Sequence, residues 1–314
     1  MVQLVALLSL ALTSSNFFAS ALKIASALSV LEHLPEQIAI KDYYKGNATI
    51  INGGVASIVN DTSIDLASNA ETQALVQYSK HKNLRIIYTV AEVYYRIVAN
   101  KRTIKSITDL RGKRIGSIPS TSAGYFTSKY LASVGLNESE YTVVSGGVCL
   151  REPCARTSFP ELFKNGSIDA VAIWEPSAEL AVEALGANNT IVFQNRTVYR
   201  EIFNLHTTKE KLDDPVARKE IVQFIRALHE AVKVFRTKPE TIWSRIAPIV
   251  NTTVPILQAV WPDHSWTGPL PADLLDVLVE EDKWVAKVQK REPMPRSELT
   301  NLIDGSILKE ALQL

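Results

Sequence analysis

Residues 107–131 read ITDLRGKRIGSIPSTSAGYFTSKYL, and this stretch decides the fold because it changes period part-way along. Lys113 to Ile118 reads as a short strand, the chain turns through Pro119 and Ser120, and a helix follows from Ala123 to Val134. A comparable unit follows at residues 167–180, SIDAVAIWEPSAEL, and another stands earlier at residues 63–75, SIDLASNAETQAL. The tripeptide Ser-Ile-Asp thus opens a strand, loop and helix twice, at Ser63 and at Ser167. Each copy also follows a strand and helix unit, at Leu22 and at Lys113, so the pattern predicts two similar α/β lobes.

Outward from these units, Leu22 to Ser29 reads as a strand and Leu31 to Tyr44 as a helix. Leu84 to Val98 supplies two strand-like runs. Downstream of Thr207 the pattern is helical over Asp214–Phe235, Pro239–Val250, Val254–Val260 and Pro271–Val288, with Pro215 suited to a first helical turn. These helices bring no strands of their own, so they are expected to pack on the first lobe.

Residues 1–21 combine an apolar run from Val5 through Phe18 with the small triplet Ala19, Ser20, Ala21, the form of a cleavable signal peptide, which places the mature start near Leu22. No later run is long enough for a membrane span. Sequons at Asn47, Asn60, Asn137, Asn165, Asn188, Asn195 and Asn251 fit the same secretory route and require those asparagines to lie on the surface. In that oxidising compartment Cys149 and Cys154 are expected to pair across a small loop. A net charge of +1 with 46% hydrophobic residues describes an ordinary globular chain without the basic stripe of a nucleic-acid binder.

The segment 107–131, with its DLRGKRI run and hydroxyl-rich turn, resembles the type II periplasmic-binding-protein fold, in the branch that binds aliphatic sulfonates, taurine and thiamine precursors. Ile168–Pro176, IDAVAIWEP, is similar to that family's second-lobe strand and its aromatic and acidic loop, and the tail from Trp284 to Ala311 resembles its closing helices. Asn60, Asp61 and Thr62 depart from the Gly-rich stretch usual before the second strand of the first lobe. The resemblance implies a two-lobed fold with a mixed, mostly parallel sheet flanked by helices in each lobe. Lobe 1 would comprise residues 22–100 and 205–314, and lobe 2 residues 101–204, with crossings near Val98–Arg102 and Phe203–His206. It implies a secreted eukaryotic, fungal solute-binding protein that closes over a small polar or anionic ligand, with no cofactor and an unknown delivery partner.

In open α/β sheets ligands sit beyond the carboxyl ends of the strands. That rule selects Ser120, Thr121, Ser122, Ala123 and Gly124, where hydroxyls and the free N–H groups of a helix start can surround an oxyanion or merely cap the helix. It also selects Trp174 and Glu175, an apolar wall and a carboxylate suited to an ammonium group, although Trp174 packing between lobes and Glu175 capping the next helix is an equal alternative. From the first lobe come Asn69 and Thr72 as neutral partners, Glu92 near the lobe boundary, and His33 beside Glu32. Glu71 reads as structural, at a helix start.

Catalysis is not expected. His33, His81, His206, His229 and His264 form no metal or triad motif, and Cys149 and Cys154 favour a disulfide over a nucleophile. Glu280 and Glu281 read as a charged, solvent-facing pair. Two alternatives remain: a secreted interaction protein that keeps the fold without a working pocket, and a thiamine-pyrimidine-related enzyme.

Overall fold

The structure is a computed structural model that describes residues 21–313, so the expected signal peptide lies, apart from its last residue, outside the described residues. Two sheets form. The first has the order β11-β4-β10-β3-β1-β2, from strands β1 (Leu22–Ser26), β2 (Ala48–Asn52), β3 (Leu66–Ala70), β4 (Leu84–Val93), β10 (Glu201–Thr208) and β11 (His264–Ser265). The second has the order β7-β6-β8-β5-β9, from β5 (Ile97–Asn100), β6 (Arg114–Gly116), β7 (Thr142–Val144), β8 (Ala170–Ala172) and β9 (Thr190–Phe193).

The sheets repeat one design. In each, the earliest of three parallel strands lies between the other two, β2-β1-β3 and β7-β6-β8, and an antiparallel pair extends the sheet, β10-β4 and β5-β9, with β11 added beyond β4. The two Ser-Ile-Asp tripeptides lead into the equivalent strands β3 and β8, with Ile64 and Ile168 both buried. Their aspartates do the same work. Asp65 accepts the Lys23 backbone N–H at 2.9 Å while its own N–H donates to the Lys23 carbonyl at 2.9 Å. Asp169 accepts the Arg114 N–H at 2.9 Å and donates to the Arg114 carbonyl at 2.8 Å. Each aspartate thereby pins the start of a central strand to the approach of its parallel neighbour, which is why Ser-Ile-Asp recurs.

The chain crosses between the sheets at residues 94–96 and 194–200. The expected crossings lay a few residues further on, yet Val98 sits inside β5 and Phe203–His206 inside β10. Because Leu84 to Ala99 is almost entirely buried, polarity does not mark where the chain leaves one sheet for the other.

Among the helices that position the site are α1 (Leu34–Ile38, prolonged by a π-helical turn to Tyr43), α2 (Glu71–Tyr78), α3 (Ser122–Ala132), α4 (Ser177–Leu185), α5 (Pro215–Thr237) and α6 (Leu274–Gln289). Asp214 caps α5, accepting from the N–H groups of Val216 and Ala217, and Pro215 occupies the first turn. The expected helix over Pro239–Val250 is interrupted: only Trp243–Ile246 is α-helical, and Pro248 bars its continuation. The C-terminal region does not confine itself to the first sheet. Ile256 packs against Cys149 and Leu180 of the second half, and Trp284 of α6 meets Tyr125 of α3 at 5.4 Å between ring centroids. It also contributes a strand, β11. Among the described residues no helix is long and apolar enough to cross a membrane.

Candidate functional site

A cavity of about 230 Å³ opens between the halves, at the carboxyl ends of β1, β3 and β8. Ala27, Ser29 and Val30 line it from the loop after β1, and Asn69, Ala70 and Gln73 from the end of β3 and the start of α2. Glu201 and Phe203 of β10 form its back, and Thr121, Ser122 and Trp174 close it from the second half. At the mouth, Gln73 Nε2 donates to the Ser120 carbonyl at 3.3 Å, a contact between halves.

Thr121, Ser122, Trp174 and Asn69, singled out from sequence, are brought together here. Thr121 does not cap α3: its hydroxyl donates to the Ile118 carbonyl at 2.7 Å, and the helix start has no side-chain cap. The Trp174 indole N–H is buried without a partner. Asn69 Oδ1 accepts from the Ala70 N–H at 2.9 Å, and its amide nitrogen lies against Gly54.

The other candidates stand apart from the cavity. Ser120, held in the left-handed conformation with φ 62°, and Gly124 line a separate groove with Trp284 and Tyr141, and Ala123 is core. Glu175 is committed elsewhere, accepting from Arg96 Nε at 2.6 Å and from the Glu179 N–H at 3.0 Å. Glu92 pairs with Arg200 at 3.1 Å. Thr72 is fully buried with an unpartnered hydroxyl. His33 is buried rather than exposed, its Nδ1 2.8 Å from the Val30 carbonyl, and burial pushes its pKa down.

Sequence reasoning missed the back of the cavity. The Tyr95 phenol donates to Glu201 Oε2, and Ser122 Oγ lies 3.1 Å from the same phenol, so the first crossing, β10 and α3 meet at one point. Burial, aided by Glu32 and Glu71 nearby, holds the Glu201 carboxyl far above the usual range. Glu71 is structural, as expected, accepting from the Tyr199 phenol at 2.9 Å and the Ile202 N–H at 2.8 Å. The solvent-facing reading of Glu280 and Glu281 is corrected for one of them. Successive helical residues point about 100° apart, so Glu280 pairs with Lys283 outside while Glu281 is fully buried beside Glu71, where burial first and then Glu71 drive its pKa upward. Tyrosine or glutamate within an apolar run, as in VAEVYYRIV and YREIFNL, was the signal available for Tyr95 and Glu201.

Cys149 and Cys154 are joined in a disulfide, with 5.6 Å between their Cα atoms, so neither offers a thiolate. All seven sequon asparagines are exposed.

With this geometry in place, comparison with known proteins gives a consistent answer. The profile described as NMT1/THI5 like matches residues 51–242. The chain belongs to the NMT1/THI5 like family. A Bacillus subtilis (strain 168) protein whose name ascribes to it the binding of aliphatic sulfonates is 25% identical over 153 residues, 48% of this chain and 44% of the relative, so the match spans less than half the relative's length. Among solved structures, the alkanesulfonate-binding protein SsuA from Xanthomonas axonopodis pv. citri bound to MOPS superposes with a TM-score of 0.69 at 14% identity, covering 90% of this chain and 98% of that one. The desulfurization enzyme DszB shares the fold at a TM-score of 0.61 and 12% identity, over 93% of this chain and 99% of its own. This NMT1/THI5 like chain therefore has the α/β architecture of the SsuA-like binding proteins, with two mixed sheets flanked by helices.

Proposed function

We infer that this protein is a secreted solute-binding protein that closes its halves over a small polar ligand and does no chemistry on it. The observation that carries this reading is the cavity between the sheets, lined from both sides by Ser29, Asn69, Gln73, Thr121, Ser122 and Glu201, with Trp174 and Phe203 as apolar walls. A site of this kind fixes orientation with a few polar groups and derives its affinity from apolar contact. Ligand contacts on both halves favour the closed arrangement, so binding shifts the population about the two crossings. The sulfonate, taurine-like and thiamine-precursor-like classes are the candidates, drawn from the family. Secretion is supported by the disulfide and by the exposure of every sequon asparagine.

Thermal-shift measurements against taurine, alkanesulfonates, thiamine and its pyrimidine precursor test the reading. A ligand present at 100 times its Kd adds about 2.7 kcal/mol, and X-ray scattering at saturation should show compaction. Unchanged melting with every compound, together with identical scattering profiles, would sink it.

A further inference from the structure

The charge of the cavity walls narrows the ligand further, on the reading that the cavity is the binding site. Among the residues that line it there is one carboxyl, Glu201, and no Lys, Arg or His. The cations close by in sequence are already held. Arg96 is clamped by Glu175 and Glu179, each at 2.6 Å, and Arg200 by Glu92 at 3.1 Å and Asp273 at 2.6 Å. Near Glu201 stands Glu32, fully buried, whose carboxyl oxygens lack a hydrogen-bond partner but face His264, with Nε2 at 3.7 Å, and whose field reaches both Tyr95 and Glu201. Glu175, which the sequence offered for an ammonium group, is spent on Arg96.

We propose that the ligand carries a positively charged nitrogen, as an ammonium, amidinium or protonated heteroaromatic group, which pairs with Glu201, and that anions lacking such a nitrogen are refused. The rings of Trp174 and Phe203 on the same cavity suit a cation, whose field is complementary to an aromatic face. An anion entering this cavity would be stripped of water with no Lys, Arg or His to pair with it.

The groups around Glu201 are Tyr95 on the first crossing, Ser122 on α3, Glu32 after β1, Glu71 on α2, Glu281 on α6 and Tyr199 on the second crossing. Burial, Glu32 and Glu71 keep the Glu201 proton on in the empty cavity, against the hydrogen bonds from Tyr95 and Ser122, which favour the carboxylate. A cation replaces that proton, so binding releases it and affinity rises with pH.

Calorimetric titration of the full protein with benzylammonium, benzamidinium, benzenesulfonate and phenylphosphonate tests this, in two buffers of different ionisation enthalpy. The expected result is one cation bound per chain with proton release, no heat from either anion, and at least tenfold weaker cation binding in Glu201→Gln. Proton release from the wild type carries the test should that variant not fold. Trp174→Ala separates two failures. Benzenesulfonate binding that this variant weakens leaves the cavity as the site and overturns the charge inference, whereas binding it does not weaken places the site elsewhere and overturns both. Silence from all four probes also overturns the inference.

Discussion

The Tyr95 phenol donates to the Glu201 carboxyl and so ties together the two segments by which the chain passes between its halves, one just after β4 and the other at the start of β10. Both residues are buried, at 3% and 4% exposure, although Glu201 also borders the cavity. Tyr95→Phe removes the donor and should cost about 1–3 kcal/mol, the usual penalty for a buried polar group left unpaired. Urea denaturation measures it, and an unchanged midpoint would show that the contact carries no stability.

Asp65 and Asp169 should prove interchangeable in effect. Asp65→Ala and Asp169→Ala each remove the acceptor of the N–H that opens a central strand, and since one bond is part-buried and the other exposed, each should lower stability by about 0.5–1.5 kcal/mol, the net value of a hydrogen bond. Because they lie in different sheets, the double variant should lose the sum to within about 0.5 kcal/mol. A double variant no worse than either single one would contradict independent roles.

These aspartates also show how much was legible in the sequence. Ser-Ile-Asp announced two similar sheets because the side chain that pins the strand is written in the same place twice. Interior strands β1, β3, β4, β5, β6 and β8 were all readable as strands, from alternation or apolar runs ahead of a turn and a helix. The unread β2, β7, β9 and β11 are the sheet edges, short and partly solvated, where burial leaves little periodic trace. β10 was taken for a connection, since EIFNLHTT mixes charge, amide and imidazole, yet all eight residues are buried. The site was half legible: loops rich in Ser, Thr and Asn advertise themselves, whereas Tyr95 and Glu201 owe their place to partners far off in sequence.

Stability should fall on both sides of a mildly acidic optimum. Glu36 is buried beside Ser26 and Ser68, and burial pushes its pKa up to about 8 from 4.5, so the folded state keeps a proton that the unfolded chain releases. Its contribution is therefore present below pH 4.5 and lost as pH rises toward about 8. Burial pushes His206 the other way, from 6.5 to about 4, so its contribution is present above 6.5 and lost as pH falls through that window. Thermal unfolding across this range checks both arms, and Glu36→Gln should flatten the alkaline one. An alkaline arm as steep as that of the wild type would show that other groups govern it.

Gln73 Nε2 reaches the Ser120 carbonyl across the mouth of the cavity at 3.3 Å. Gln73→Ala should weaken a bound ligand by up to about 1 kcal/mol, the net value of one hydrogen bond, to the extent that ligand binding closes the mouth further. Titration of both proteins with any ligand that raises the melting temperature decides the matter; equal affinities would mean that the mouth contact takes no part in closure.

The strand register at the crossings has a last consequence. Ile97 lies opposite Phe193 across β5 and β9, and Val93 lies opposite Glu201 across β4 and β10. The second half is thus an uninterrupted piece of chain whose entrance and exit are side by side, inserted into a first half whose severed ends are also neighbours. Excising residues 94–200 and bridging Val93 to Glu201 with a few residues would leave every strand pair of the first sheet in place. The chain thus threads the second sheet through a single gap in the first, and the core that runs through both keeps them together.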